Sequence, residues 1–566
     1  MEFFLMSSIE LLNRTEEILK TLYPRKDVNS ILNDLNSILS KYTNNETILA
    51  KRKRYNDQIV LNEDDAILIT YADSIQKKGE KPLCTLHRFL TNHVKPAFTC
   101  VHILPFFPSS SDEGFSVIDY RDVDPAFGSW EDIRNIGKDY RLMADLVMNH
   151  VSSRSEWFQR FLRGDERYRD YFLSYDNPAD MPGVFRPRVQ PLLTEFDTAM
   201  GKKYVWTTFS GDQVDLNFHN PKVTLEILDI FMFYLSQGIE IIRLDAIGYV
   251  WKEPGTSCVN LPQTHEMVKF LRTVAEYIAP YAIIVTEVNF PYKYNVSYLE
   301  ARHEANMAYH FSLPPLVIDG FIRQDTSILQ EETKRIRQDL VFFNFLASHD
   351  GIGLLGVKEI LPPPCFKGLL ETTTGHGGLI SYKATQQGEV PYELNITYYD
   401  AINDPSYPDQ EVDIRRFMAA NAIMLADKGV PGIYIHCLLG SRNCLEAVKE
   451  TGINRMINRE KLSAEEVFED LSDPESLRYK VLEEFLQLLN VRKEIQAFHY
   501  FMQRDVLQSD KRLFVIERIC KGENLLAVVN VSDDWIKLPQ YKGMTDLISK
   551  TLFEGSVAPY GVYFLQ

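Results

Sequence analysis

Eight short apolar segments rich in β-branched and aromatic residues recur between residues 66 and 440, and helix-like segments are interleaved with them. The apolar segments are 66–71, 99–107, 142–149, 239–246, 282–289, 307–317, 341–348 and 430–440. Strands that alternate with helices are typical of parallel pairing, because each helix returns the chain to the start of the next strand. Eight such units close a (β/α)8 barrel. The sequence therefore predicts an α/β fold of the TIM-barrel class.

The 566 residues are too many for one compact domain, and the sequence pattern changes near both ends. Helical periodicity predicts an N-terminal helical extension, and alternating apolar residues predict a C-terminal antiparallel β domain. Within the barrel we predict helices at 129–137, 263–278, 323–337 and 412–427. The predicted domains are the extension 1–60, the catalytic barrel 61–498 with insertions at about 151–237 and 351–410, and the β domain 499–566.

Composition restricts the class of protein and its partners. Apolar residues are 45% of the chain and charged residues 25%, which is typical of soluble globular proteins. A net charge of −17 repels nucleic acid phosphates, and we interpret the basic run at 51–55 as a solvated helix face. No segment approaches the roughly 20 apolar residues that cross a bilayer. We expect neither a nucleic acid partner nor a membrane span.

The cysteines and the N-terminal residues indicate the cellular compartment. The seven cysteines are scattered and lack CxxC spacing, a pattern that favours reduced thiols over disulfides or structural zinc. The opening residues lack the basic and sustained apolar regions of a secretory signal. We predict a cytoplasmic location. The sequence does not indicate an oligomeric state.

Three carboxylates follow apolar strand-like runs directly, namely Asp245, Glu287 and Asp350. At such positions they stand at the C-terminal mouth of the predicted barrel, where this fold keeps its chemistry. Cleavage of a glycosidic bond with retention needs one carboxylate to attack the anomeric carbon and one carboxylic acid about 5–5.5 Å away to protonate the leaving oxygen. The pattern predicts an enzyme that acts on a sugar.

Spacing suggests individual roles for the strand-end residues. Arg243 and Asp245 are two residues apart, so they point to the same side of the strand, where the guanidinium can keep Asp245 ionised as a nucleophile. A structural ion pair would have the same spacing. Glu287 is the candidate general acid/base, with a pKa raised by burial and by neighbouring carboxylates.

The histidine-containing strand ends complete the predicted site. His349 and Asp350 can bind sugar hydroxyls and stabilise positive charge at the reacting carbon, although a lone His–Asp pair is also common as a structural feature. Asp145, Asn149 and His150 end an earlier strand. We expect Asp145 to orient Arg243, and His150 to reach the sugar.

The strand ends 144–150, 241–246, 285–289 and 346–350 resemble the four conserved regions of the α-amylase superfamily, glycoside hydrolase family 13. Within it, segments such as LPFFPSSSDEGFSVIDY (104–120), IRLDAIGYVWKEPGTSC (242–258) and PYELNITYYDA (391–401) resemble the sucrose phosphorylase subfamily. The resemblance covers about 65–460. The N-terminal extension and FRPRVQPLLTEF (185–196) look more like the glucosylglycerate phosphorylases of that subfamily.

The resemblance implies a role for each matched residue. Asp245 would be the nucleophile, Glu287 the general acid/base and Asp350 the transition-state stabiliser. The glucose subsite would consist of Asp112, Phe115, His150, Arg243, His349 and Arg455, with Asp112 as the expected partner of Arg455. The acceptor and phosphate side would be lined by Arg188, Tyr249, Tyr392 and Glu393.

One departure from the subfamily bears on the substrate. Sucrose phosphorylases have a glutamine that helps to bind fructose at position 393, where this chain has Glu393, so fructose is doubtful as the acceptor. The resemblance implies reversible phosphorolysis of 2-O-α-D-glucosyl-D-glycerate, with inorganic phosphate as co-substrate and without metal or organic cofactor. Arg186, Arg188 and Lys383 are the candidates for binding the glycerate carboxylate. The alternatives are phosphorolysis of sucrose 6-phosphate, glucosylglycerol or sucrose, and simple α-glucoside hydrolysis.

Overall fold

The computed structural model describes residues 6–566 except 179, 301–302, 386–387 and 521. Eight parallel strands close a barrel, as the sequence predicted. In chain order they are β1 Ile67–Thr70, β2 Cys100–Ile103, β3 Arg141–Val147, β4 Ile241–Asp245, β5 Ile283–Thr286, β6 Met307–Tyr309, β7 Phe342–Phe345 and β8 Val430–Tyr434. Each strand pairs with its sequence neighbours, and β8 pairs with β1. The α/β barrel prediction is confirmed.

Two of the predicted strands are much shorter than expected. Residues 307–317 were predicted as one strand, but the strand ends at Tyr309 and a helix runs from Leu313 to Arg323 with proline at its start. Proline suits the first helical turn because the missing N–H has no partner there. The segment 430–440 likewise changes to a short helix at Ile435. Both segments are buried throughout, so apolar residues alone did not separate strand from helix.

Helices surround the barrel, between consecutive strands and after β8. They span Pro82–Phe89, Trp130–Asp139, Pro221–Ser236, Pro262–Ile278, Tyr292–Glu300, Leu313–Arg323, Ser327–Arg335, Gln410–Ala426 and Leu477–Lys493. The predicted helices at 129–137, 263–278 and 412–427 are confirmed to within two residues at each end. The one predicted at 323–337 is wrong as a single unit, because Gln324 takes a left-handed φ of 49° and ends a helix there.

Two inserted regions lie at the C-terminal mouth of the barrel. The first follows β3 and contains the helix Glu156–Leu162, a three-stranded sheet and a two-stranded ladder that pairs His150–Ser152 with Gln213–Asp215. The sheet is made of Ser174–Tyr175, Leu193–Thr198 and Gly201–Trp206. The second insertion follows β7 and contains Ile352–Gly353, the helix Pro363–Gly375, the paired strands Leu379–Thr385 and Gly388–Asn395, and the helix Tyr398–Ile402.

Three N-terminal helices, Ser8–Leu22, Val28–Tyr42 and Glu46–Tyr55, pack against the barrel helices Pro262–Ile278 and Pro221–Ser236. Their periodic apolar residues, such as Leu19 and Leu35, are buried in the main core. At the start of β4, the buried Glu240 forms ion pairs with Lys51 and with Arg141. The basic run at 51–55 thus belongs to a helix that packs on the barrel.

A six-stranded antiparallel sheet forms the C-terminal part. Its order is Gln503–Val506, Leu513–Cys520, Glu523–Asn530, Val562–Leu565, Thr545–Asp546 and Thr551–Leu552. Along the second strand, Phe514 and Ile516 belong to the main core, whereas Leu513 and Val515 belong to a separate apolar cluster. The sheet is therefore covered on both faces and packs on the barrel with one of them.

The described part of the chain contains no helix with the length and apolarity needed to traverse a bilayer. All seven cysteines are unpaired, as the spacing predicted.

Candidate active site

A cavity opens at the C-terminal ends of the barrel strands, between the two insertions. Of the thirteen predicted site residues, twelve line it: Asp112, Phe115, His150, Arg188, Asp245, Tyr249, Glu287, His349, Asp350, Tyr392, Glu393 and Arg455. The thirteenth, Arg243, lies beneath its floor and is almost fully buried. Residues at the end of β4 and in the segments that follow β2, β3, β5, β7 and β8 thus meet in one place.

Arg243 holds the carboxylates of the floor together. Its Nη1 atom donates to Asp145 at 2.5 Å and to Asp245 at 2.8 Å. Its Nη2 atom lies 3.9 Å from Glu287 and 4.0 Å from Asp350. The contacts with Asp245 and Asp145 are those that the sequence predicted. One buried guanidinium therefore neutralises part of the charge of four carboxylates.

His102 is a member of this network that the sequence analysis missed. It lies in β2, is fully buried, and places Nε2 2.7 Å from the second oxygen of Asp145. Asp145 is consequently fixed between His102 and Arg243. The available signal was one histidine within the apolar run 99–107, and a buried histidine in such a run has many structural explanations.

Burial controls the protonation of the two reacting candidates. It raises the pKa of Glu287, with Asp350 adding to the shift and Arg243 opposing it. Burial also raises the pKa of Asp245 well above its usual range, because the attraction of Arg243 only partly compensates for desolvation and for the neighbouring carboxylates. Arg243 thus acts on Asp245 in the expected direction, towards the ionised form, but burial outweighs it. Asp245 and Glu287 behave as an interacting pair that retains a proton.

The pKa of Asp350 shifts in the opposite direction. Burial disfavours its charge, but the guanidinium groups of Arg455, Arg243 and Arg459 outweigh burial and lower the pKa of this carboxyl. Burial lowers the pKa of His349 to about 3, so its ring is neutral. The ionised form of Asp350 is therefore favoured, whereas the pKa values of the neighbouring Asp245 and Glu287 are raised.

The backbone after β4 is directed at Glu287. Ala246 takes a left-handed φ of 48°, and its N–H donates to Glu287 Oε2 at 3.0 Å. A non-glycine residue adopts this conformation only at a cost, which the surrounding structure must offset. The strained turn thus orients the carboxyl of Glu287.

An aromatic stack forms one wall. The rings of Phe115 and His349 are parallel, with centroids 4.7 Å apart and an interplanar angle of 6°. His150 Nε2 lies 2.9 Å from the carbonyl oxygen of Phe115. Gln213, which the sequence analysis missed, places Nε2 3.3 Å from Asp112 Oδ2 and 3.2 Å from His150 Nε2. These contacts join the Asp112–Phe115 turn to His150.

The predicted partner of Arg455 is wrong. Arg455 binds Asp350 at 2.5 Å and makes a two-point ion pair with Glu393, at 2.5 and 3.1 Å. Asp112 instead lies 3.5 Å from Arg459. The segment NRMINR contains two arginines four residues apart, and their spacing does not decide which one faces Asp112.

The opposite wall contains Arg188, Tyr249 and Tyr392. Arg188 lies above the rings of Phe209 and Tyr392, at 5.9 and 5.7 Å, and 3.9 Å from Glu393. Asn289 also lines the cavity and was missed. It follows Glu287 by two residues, a spacing that places it near the same strand end.

The other two cations proposed for an anion lie elsewhere. Arg186 donates to the carbonyl oxygens of Val189 and Gln190. Lys383 is buried with Nζ 4.1 Å from the centroid of Phe185. Neither is among the residues that line the cavity. Of the three predicted cations, only Arg188 faces it.

A buried lysine, Lys252, supports the side of the cavity that contains His150. Lys252 Nζ lies 2.6 Å from Asp215 and donates to Asn149 Oδ1 at 2.5 Å. Asn149 Nδ2 in turn lies 3.2 Å from His150 Nδ1. Lys252 therefore links the first insertion to the end of β3 and fixes the orientation of His150.

Comparison with known proteins gives concordant results. Residues 95–351 match the family described as alpha amylase, catalytic domain. A glucosylglycerate phosphorylase of Spirochaeta thermophila is 51% identical over 84% of this chain and 82% of its own length. One of Escherichia coli is 42% identical over 80% and 81%. The solved structure of sucrose 6F-phosphate phosphorylase from Thermoanaerobacter thermosaccharolyticum superposes with a TM-score of 0.73 at 28% identity, covering 83% of this chain and 94% of that one.

Proposed function

The chain belongs to the glucosylglycerate phosphorylases of the α-amylase superfamily, and on that premise we propose that it catalyses reversible phosphorolysis of 2-O-α-D-glucosyl-D-glycerate. The products are α-D-glucose 1-phosphate and D-glycerate. The observation that carries the proposal is the similarity to relatives of that name over about four-fifths of the chain or more. The cavity supports it by offering a nucleophile, an acid and a cation side by side.

Asp245 is the proposed nucleophile and Glu287 the proposed acid. The pair retains a proton, and we assign it to Glu287 because Asp245 accepts a 2.8 Å hydrogen bond from Arg243 while Glu287 stands 3.9 Å from that guanidinium. An ionised oxygen is better stabilised at the shorter distance. Asp245 then attacks C1 as Glu287 protonates the departing glycerate oxygen, and a β-glucosyl-enzyme forms.

The second step reverses these roles with phosphate as the nucleophile. Glu287, now a carboxylate, takes the proton of a phosphate monoanion while a phosphate oxygen attacks C1 and the bond to Asp245 breaks. The two inversions return the α configuration. The ionised Asp350 is placed to stabilise the positive charge that develops at C1 in both steps.

The remaining predicted residues are assigned to two sides of the cavity. Asp112, Phe115, His150, His349 and Arg455 are the proposed ligands of glucose, with Phe115 and His349 forming an apolar wall. Tyr249, Tyr392 and Arg188 are the proposed acceptor side. Both phosphate and glycerate are anions, and Arg188 is the cation best placed to bind them, because Arg455 is already paired with two carboxylates.

The reaction as written needs phosphate as co-substrate and no further cofactor. A cytoplasmic location is proposed from the unpaired thiols, because a reducing compartment maintains them.

The proposal is tested by synthesis from α-glucose 1-phosphate. The purified enzyme is incubated with D-glycerate, L-glycerate, fructose 6-phosphate, fructose and glycerol in separate reactions, and released phosphate is measured. We expect release with D-glycerate above all others. Release with fructose 6-phosphate but not with D-glycerate would replace the proposal with sucrose 6-phosphate phosphorolysis, and equal release without acceptor would indicate a hydrolase.

A further inference from the structure

Asp212 lies outside the catalytic cavity, yet its carboxylate binds four serine side chains. Its Oδ2 atom accepts hydrogen bonds from Ser110, from Ser111 at 2.5 Å and from Ser116 at 2.8 Å. Its Oδ1 atom accepts one from Ser153 at 2.6 Å. Burial opposes the charge of Asp212, but these four hydrogen bonds outweigh burial and lower its pKa. An ionised carboxylate thus collects donors from three segments of the chain.

Three of the four serines flank the turn that carries Asp112 and Phe115. Ser110 and Ser111 precede this turn and Ser116 follows it. The ends of the turn are also joined by the backbone, since Ser110 N–H donates to Ser116 O at 3.1 Å and Ser116 N–H donates to Ser111 O at 3.3 Å. Asp212 therefore fastens both ends of the turn to one point.

The turn itself is strained. Asp112, Glu113 and Gly114 have consecutive φ angles of 51°, 49° and 104°. A Cβ on Gly114 would come within 2.5 Å of Pro105 O, so the backbone runs too close to its neighbour for any side chain. Two successive non-glycine residues in the left-handed region persist only where surrounding contacts hold them. The Asp212 contacts are placed to do so.

The residue after Asp212 reaches the cavity. Gln213 contacts Asp112 and His150 there. The Ser153 N–H also donates to the carbonyl oxygen of Asp212 at 2.7 Å, next to the ladder that pairs His150 with Asp215. A displacement of Asp212 would consequently disturb the glucose side of the cavity in two ways, by moving the Asp112–Phe115 turn and by moving Gln213.

We propose that Asp212 is a positioning residue for the glucose side of the cavity, which holds the Asp112–Phe115 turn in its strained conformation without touching substrate. The inference rests on the proposed function, because it takes this side to bind the glucosyl group. The acceptor side does not share the Asp212 contacts: Arg188 lies in another part of the first insertion, above the ring of Tyr392, and Tyr392 and Glu393 belong to the second insertion. Loss of Asp212 should therefore weaken binding of the glucosyl ligand and leave binding of the acceptor unchanged.

The test compares Asp212→Ala and Asp212→Asn with Asp197→Asn, an exposed aspartate of the same insertion. In the synthesis direction, Asp212→Ala should raise the KM for α-glucose 1-phosphate about tenfold or more and leave that for D-glycerate within about twofold, since the bonds lost are charge-assisted. Asp212→Asn keeps one acceptor oxygen and should lose less. The control should match the wild type in both constants. Titration calorimetry with glucose compares the glucose affinities of the same variants without turnover. A failure of this inference can therefore be distinguished from a failure of the proposed reaction.

Equal increases in both KM values, or none, would overturn the proposal, and so would unchanged glucose affinity. Should Asp212→Ala fail to fold by circular dichroism, Ser111→Ala asks the same question, because this exposed serine donates one of the hydrogen bonds. We expect it to raise the KM for α-glucose 1-phosphate about threefold and selectively. A symmetrical or absent effect in a folded Ser111→Ala variant would also contradict the proposal.

Discussion

Glu393 and Arg455 form a two-point ion pair, with Oε1 2.5 Å from Nη2 and Oε2 3.1 Å from Nε. Arg455 in turn lies 2.5 Å from Asp350. The negative charge of Glu393 is therefore directed at the arginine that also pairs with Asp350, and we propose that Glu393 influences the reacting side of the cavity as well as the acceptor side.

Replacing Glu393 with Gln should lower the catalytic efficiency with both substrates. The amide keeps one acceptor oxygen but loses the ionic character of the pair, and a charge-assisted bond contributes about 1.5–3 kcal/mol. We expect kcat/KM to fall about tenfold or more for α-glucose 1-phosphate and for D-glycerate alike. Steady-state kinetics in the synthesis direction measures this. Glu389→Gln, an exposed residue of the same strand, is the matched control, and an effect on D-glycerate alone would show that Glu393 contacts only the acceptor.

Replacing Arg188 with Gln should weaken the binding of anionic substrates only. Its guanidinium faces the cavity and is 3.9 Å from Glu393. Loss of the cation should raise the KM for phosphate and for D-glycerate by about ten- to a hundredfold, corresponding to one charge-assisted contact. Glucose affinity should not change. Arg186→Gln serves as control because Arg186 donates to backbone carbonyls nearby. Similar losses in both variants would remove Arg188 from the anion site.

The pH dependence should report on Glu287. The proposed acid must be protonated in the free enzyme that binds the glycoside, so kcat/KM for phosphorolysis falls as pH rises through its pKa, which burial raises. Arg455 lowers that pKa. Arg455→Met should therefore move the alkaline limb to higher pH as well as reduce activity. Lys449→Gln, an exposed neighbour, should leave the limb in place. A limb that stays or moves downward in Arg455→Met would contradict the assignment.

Buried histidines should make the fold sensitive to acid. Burial lowers the pKa of His310 to about 4 and that of His436 to about 3. The unfolded chain binds their protons first, so each contributes stability that is lost as pH falls from about 6.5 toward these values, by about 1.4 kcal/mol per pH unit. The thermal midpoint of His436→Gln should consequently fall less between pH 7 and pH 5 than that of the wild type. Parallel curves would exclude this contribution.

Periodicity and strand-end carboxylates predicted the barrel and most of the cavity. They could do so because the C-terminal ends of parallel strands meet at one edge whatever the details of packing. Arg243, Asp245, Glu287 and Asp350 each follow from that rule. The division of the chain at 60/61 and 498/499 remains a prediction.

What the sequence did not reveal depends on contacts between distant loops. His102, Gln213, Lys252 and Asp212 act through partners 43 to 103 residues away, such as Asp145, Asp112, Asn149 and Ser110. No local pattern encodes these pairings. Arg455 and Arg459 were exchanged for the same reason, since helical or turn geometry decides which of two nearby arginines faces Asp112. The ends of β6 and β8 were misjudged because buried helices and buried strands are equally apolar.

The central claim is a double displacement in which phosphate, rather than water, completes the reaction. The most direct test follows the first turnovers on 2-O-α-D-glucosyl-D-glycerate in phosphate buffer by ¹H and ³¹P NMR. We predict α-D-glucose 1-phosphate as the first product, formed in equal amount with D-glycerate, and no such product with Asp245→Asn. The appearance of β-D-glucose 1-phosphate, of free glucose as the main product, or full turnover by Asp245→Asn would contradict it.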